Sequence, residues 1–150
     1  MIELDVHADD CALTVHTSQD ILECMKAGKL DSISILTNMS CSGKCMDMLV
    51  EAIPELPFLP GMSIHLDFVE GKCLAGSGEA PLLVRKGSDC IGLSWGKLFL
   101  CSFHPGKRKV VKEQLKKEIK AQLLTGQREI LRCMEAAGKH RIPCKQTGLR

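Results

Sequence analysis

Ile2-Glu3-Leu4-Asp5-Val6-His7-Ala8-Asp9-Asp10 is the stretch on which the fold reading turns. Ile2, Leu4 and Val6 alternate with polar residues, the period of a strand with one buried face. A histidine and two adjacent carboxylates close the run, so Asp9 and Asp10 fall where the strand stops. Open α/β sheets and barrels place ligands and chemistry at such strand ends. Adjacent side chains there point in different directions, so one carboxylate can hold a metal while its neighbour reaches a substrate or a water. Like charges this close also push their pKa values apart, which suits a division of labour between ligand and base. The plain alternative is a solvated Asp-Asp turn, since short motifs often occur without a function.

Beyond Asp10 the hydrophobic period lengthens. Thr14 or Thr17 caps a helix carried by Ile21, Leu22, Met25 and Ala27, and Gly28 is its natural stop. Ser32-Ile33-Ser34-Ile35-Leu36-Thr37-Asn38 reads as a second strand, with Ser40-Cys41-Ser42-Gly43 as a turn after it. Cys45, Met48, Leu49, Ala52 and Ile53 mark a second helix, which Pro54 and Pro57 keep from extending. Met62-Ser63-Ile64-His65-Leu66 is the third strand, with His65 facing away from Ile64 and Leu66. The order βαβαβ implies right-handed parallel crossovers and a common edge for the three strand ends.

That edge gathers Asp9, Asp10, Asn38 and His65. Carboxylate oxygen with imidazole nitrogen makes part of a ligand set for Zn²⁺, Mn²⁺ or another divalent ion. A lone strand histidine is also common as a hydrogen-bonded structural residue. His7 is the competing histidine, facing the barrel interior or standing one layer behind the ligands.

Residues 70–106 hold many glycines and little periodicity, which reads as a long loop over the strand ends with a short helix near Trp95 to Leu100. Trp95 is a candidate platform for a sugar ring or, beside Leu93, Leu98 and Phe99, a core anchor. Val111, Leu115, Ile119, Leu123, Ile130 and Met134 recur on one face of a long amphipathic helix over 107–138, with Gly126 as a possible break. Its lysines form a solvated face. His104 and His140 stand in loop-like contexts without a partner at ligand spacing.

The 150 residues, 45% hydrophobic, suit one domain with a sizeable core. A net charge of +2, one tryptophan and no tyrosine argue against a nucleic-acid partner. No apolar run reaches the ~20 residues of a membrane span, and Met1 leads into a strand pattern, not a leader. Nine cysteines at irregular spacing read as buried free thiols of a cytoplasmic protein. Cys41-x-x-x-Cys45, with no second pair, is a weak metal signal.

His7-Ala8-Asp9-Asp10 with Leu13-Thr14, the Ser32-to-Asn38 strand, Gly61-x-x-x-His65-Leu66 and the Glu113-to-Gln122 helix resemble the YdjC-like carbohydrate deacetylase family, which includes chitooligosaccharide deacetylases. The resemblance implies an α/β fold. Residues 1–150 would form a single incomplete domain, the N-terminal half of a distorted (β/α) barrel of the glycoside hydrolase/deacetylase type, with parallel strands and flanking helices. It also implies metal-dependent removal of acetyl groups from N-acetylated sugars or chitooligosaccharides. Carried over residue by residue, Asp10 and His65 become ligands of a divalent ion, Mg or Zn, and Asp9 the general base. Asn38 and Trp95 are then the candidate substrate contacts. Two departures accompany the match: Cys11-Ala12 stands where the family has Phe-Gly, and no Asp-x-His-x-His segment follows the long helix. The expectation is a fragment lacking the last metal ligand, which self-associates through its uncovered strand edges. The alternatives are a non-catalytic, partner-binding half-barrel and, with least support, a small cysteine-based metal or redox module.

Overall fold

Serine alternates with isoleucine in Ser32-Ile33-Ser34-Ile35, and this period of two gives the central strand one apolar and one hydroxyl-bearing face. The computed structural model describes residues 4–144, apart from the side chains of Trp95 and Ser102. Its elements are β1 (His7–Cys11), α1 (Val15–Lys26), β2 (Ser32–Leu36), α2 (Ser42–Ala52) with a 3-10 turn at Ile53–Glu55, β3 (Gly61–His65), α3 (Trp95–Phe103) and α4 (Pro105–His140). The three strands form a parallel sheet in the order β1-β2-β3. With the helices flanking them, they make a mixed α/β fold consistent with part of a (β/α) barrel.

Ile33 and Ile35 are fully buried among Ile21 and Met25 of α1, Met46 and Leu49 of α2, and Cys133 and Ala137 of α4. Each such isoleucine contributes about 1.5–3 kcal/mol of hydrophobic stabilisation. The helices thus cover the apolar face. The opposite face carries Ser32, Ser34, His7, Asp9 and His65, which hydrogen-bond to one another.

The first strand does not lie where the alternation predicts. Leu4 is 82% and Val6 43% exposed, neither belongs to the sheet, and Ile2 lies outside the described residues. Pairing decides the difference: β2 begins at Ser32, whose register partner is His7. The Val6 carbonyl accepts the amides of Asp31 and Ser32 and its own amide donates to the Asp31 carboxylate as the chain enters, while its side chain stays exposed. Asp9 and Asp10 are therefore inside β1.

The first helix follows its sequence signals. The Thr14 hydroxyl accepts the Thr17 amide at its start. At its end the Gly28 amide reaches the Met25 carbonyl and the Lys29 amide that of Cys24, with Gly28 at φ +65°. In the second helix Ser42 and Gly43 are already helical, and Ser42, whose hydroxyl donates to the Leu36 carbonyl, ties it to the end of β2. Thr37, Asn38 and Leu66 fall outside the strands expected to hold them.

Residues 66–94 are irregular yet packed. Cys73, Ala80, Leu83, Ile91 and Leu93 gather with Val111 of α4 in a second small core. The long helix runs unbroken through Gly126, and its buried stripe differs from the predicted one. Leu123 and Met134 are exposed, whereas Gln114, Glu118, Gln122 and Gly126 are buried. Glu118 accepts the amides of Leu74 and Ala75, Gln114 that of Leu82 and Gln122 that of Asp67. The irregular segment needs acceptors for its buried amides, and polar side chains at four-residue spacing supply them. His104 is the N-cap of this helix, accepting the Lys107 amide at 3.3 Å.

Of the nine free cysteines, Cys11, Cys45, Cys73 and Cys133 are buried as expected, but Cys24, Cys90 and Cys144 are exposed. Burial is the main cause that raises the Cys11 thiol to about 11 and that of Cys133 to about 12. Both stay protonated and pack as small apolar groups.

Candidate active site

Backbone geometry at the end of β1 brings the two aspartates together. Ala8 pairs with Ile33 and Cys11 with Ile35, so three steps on β1 oppose two on β2. This is a β-bulge, and Asp10 within it adopts φ +62°. A regular strand would turn adjacent carboxylates to opposite faces. The bulge instead lets both approach one imidazole: His65 Nδ1 lies 3.2 Å from Asp10 Oδ1 and 3.6 Å from Asp9 Oδ1. The sequence pattern showed no bulge, because its signal is backbone register and not residue type.

The turn after the bulge is held from two sides. The Leu13 amide reaches the Asp10 carbonyl at 3.0 Å, and Ala12 sits inside the turn at φ +75°. Ser18 of α1 accepts the Ala12 amide at 3.0 Å. The Cys41 thiol points its hydrogen at the carbonyls of Ala12 and Leu13, at 3.3 and 3.5 Å. Burial, then its neighbour Cys45, raises the Cys41 thiol above its ordinary range, so it remains a donor. Cys41 thus serves the turn, and the Cys45 thiol reaches the Thr14 carbonyl beside it at 3.8 Å.

Ser34 is the residue that motif reading missed. Its hydroxyl donates to Asp9 Oδ1 at 2.6 Å and lies 3.3 Å from His65 Nδ1. The alternation with Ile33 and Ile35 carried the signal, since it puts Ser34 on the face away from the helices. This hydrogen bond is the largest cause holding the Asp9 carboxyl below its ordinary value, with contacts to His7 and His65 adding to it. Asp9 is therefore a carboxylate at neutral pH, ready to accept a proton.

His7 lies beside the same group, with Nε2 3.2 Å from Asp9 Oδ1 and Nδ1 2.7 Å from Ser32 Oγ. Asn38 is elsewhere. It is 1% exposed, its amide donates to the Glu70 carbonyl and its own carbonyl accepts the Lys72 amide. In this arrangement it fastens the segment after β3. Trp95 opens α3, and its proposed stacking lies outside the described side chains. A cavity of about 390 Å³ sits in another region, lined by residues such as Ser77, Arg85, Lys86 and Asp89, and none of the strand-end residues borders it.

Donor spacing tests whether a divalent cation fits. Ligands about 2.0–2.2 Å from one ion stand roughly 3 Å from each other. The 3.2 Å between Asp10 Oδ1 and His65 Nδ1 meets that requirement, and oxygen with imidazole nitrogen suits Zn²⁺ or Mn²⁺. Among the described residues no group of three or more His, Cys, Asp or Glu could hold a metal ion, so this pair would be a partial ligand set.

A family model described as YdjC-like protein matches residues 3–128. A protein named carbohydrate deacetylase from Thermoanaerobacter pseudethanolicus (strain ATCC 33223 / 39E) is 35% identical over 81 residues, which cover 54% of this chain and 30% of that protein. The match thus spans under a third of the relative's length. No solved structure matches.

Proposed function

The chain belongs to the YdjC-like family, and from that premise we propose that it carries the metal-and-base part of a carbohydrate deacetylase site. The convergence of Asp9 and Asp10 on His65 at the bulge is the observation that carries this reading. The name of the Thermoanaerobacter relative, carbohydrate deacetylase, supports the reaction class. The substrate in this reading is an acetylated amino sugar or oligosaccharide, from which hydrolysis frees acetate.

In this reading Asp10 and His65 hold a divalent cation, magnesium or zinc. When bound, such an ion polarises the acetyl carbonyl and acidifies the attacking water. Asp9 takes the proton from that water. Ser34 keeps Asp9 ionised and fixes Oδ1, so its other oxygen faces the reaction. The proton for the departing amine comes from a group that Asp9, Asp10 and His65 do not include. Free thiols throughout the described chain support a reducing, cytoplasmic setting. No helix among the described residues is long and apolar enough to cross a membrane.

A second reading, a non-catalytic half-barrel that works by pairing with another chain, is favoured by the absence of a three-residue ligand set among the described residues. One experiment separates the two. Equilibrium dialysis against Zn²⁺ or Mg²⁺ should give one bound ion per chain, lost in Asp10→Asn and in His65→Ala, and acetate should be released from N-acetylated chitooligosaccharides. Metal retained by both variants would end the ligand assignment. Metal binding with no acetate release would favour the non-catalytic reading.

A further inference from the structure

A continuous line of hydrogen bonds crosses the face of the sheet that carries the serines and reaches Asp9. Ser32 Oγ lies 3.1 and 3.0 Å from the two carboxylate oxygens of Asp5. Ser32 Oγ also lies 2.7 Å from His7 Nδ1, which fixes the plane of the ring. At the other side of the ring, His7 Nε2 faces Asp9 Oδ1 at 3.2 Å, and since a carboxylate only accepts, Nε2 is the donor of that contact. Register pairing of His7 with Ser32 places the ring between the two carboxylates.

We propose that His7 is a positioning residue of the site, its ring held by Ser32 and aiming Asp9 through its Nε2 hydrogen. Its catalytic meaning rests on the deacetylase reading above. Ser34 and His7 both donate to Oδ1 of Asp9, and among the described residues Oδ2 takes no hydrogen bond. Two donors on one oxygen stop the carboxylate from rotating and present the other oxygen to a water. The arrangement repeats the logic in which one group orients the ring and the ring orients the reacting group.

The test reads the ring directly. In the ¹⁵N-labelled chain, long-range proton–nitrogen spectra should show a hydrogen on His7 Nε2, and Ser32→Thr, which keeps the hydroxyl, should preserve that pattern. A His7 ring with a bare Nε2 overturns the proposal. In acetate release, His7→Gln keeps an N–H for Asp9 and should retain most of kcat. His7→Leu should lose on the order of ten- to a hundredfold in kcat at unchanged KM. Equal losses in both variants would overturn the positioning role. A wild-type chain with the expected ring spectrum but no acetate release would sink the deacetylase reading and leave the contact between His7 and Asp9 standing.

Discussion

Asp10 and Ala12 both hold positive φ, a conformation that costs an ordinary residue roughly 1–2 kcal/mol and glycine almost nothing. At Ala12 the gain from substituting glycine opposes the loss of a fully buried methyl, worth about 0.8 kcal/mol. Ala12→Gly should therefore leave stability within about 1 kcal/mol of wild type or raise it. Ala137→Gly, equally buried but helical, should cost about 1–2 kcal/mol. Urea unfolding of both variants checks this, and equal losses would contradict the strain at Ala12. Asp9 makes a separate prediction: Asp9→Asn should lower turnover by ~10² or more with metal content intact, as expected when a base is removed and a ligand is not. Because the folded Asp9 carboxyl titrates below its ordinary value, the stabilisation it gives is present at neutral pH. That contribution is lost only as the pH falls below the usual carboxylate range. The acid limb of activity should lie equally low.

The long helix is the element with most to lose from single changes. A Cβ at Gly126 would lie 2.6 Å from Cγ1 and Cδ1 of Ile64 and 3.2 Å from Cγ2 of Thr37. Helix propensity favours alanine there by about 1 kcal/mol. The clash involves a carbon close to the backbone of β3, so helix and strand must separate, at about 1–3 kcal/mol. The clash should win or cancel the gain, and Gly126→Ala should not stabilise the protein. A rise in Tm would show that the contact relaxes freely. About two turns earlier, Glu118 is wholly buried and accepts the amides of Leu74 and Ala75, the Cys73 thiol and the Gln122 side chain. Removing it orphans these donors, and Glu118→Ala should cost about 2–4 kcal/mol. Hydrogen exchange should locate the damage, with the amides of Leu74 and Ala75 losing protection while Ile33 and Ile35 keep theirs.

At the scale of the molecule, much apolar surface is left uncovered. Phe99, Leu100 and Phe103 on α3, with Leu124, Leu131 and Met134 on α4, are each about half exposed or more. The outer strands β1 and β3 each pair on one side only among the described residues. Unpaired edges and apolar patches promote association. Size-exclusion chromatography should show an elution volume that shifts to larger species as the concentration rises. A monomer at every concentration would mean that these surfaces are too dispersed to hold a second copy.

The sequence by itself determined the order of strands and helices, a threonine cap at Thr14 or Thr17 and the stop at Gly28, because these signals act over a few neighbouring residues. It also placed His65 and the aspartates near one sheet edge, since parallel crossovers return strand ends to the same side. Tertiary structure alone decided the register of β1, because only pairing with Ser32 selects residues 7–11 over the more regularly alternating residues 2–6. It decided the bulge as well, and with it the approach of both Asp9 and Asp10 to His65. It chose Gln114, Glu118 and Gln122 as the buried stripe of α4 over Leu123 and Met134, because buried amides of the irregular segment 66–94 had to find acceptors. Hydrophobic period foresees burial against an apolar core, but it is blind to backbone groups arriving from fifty residues away.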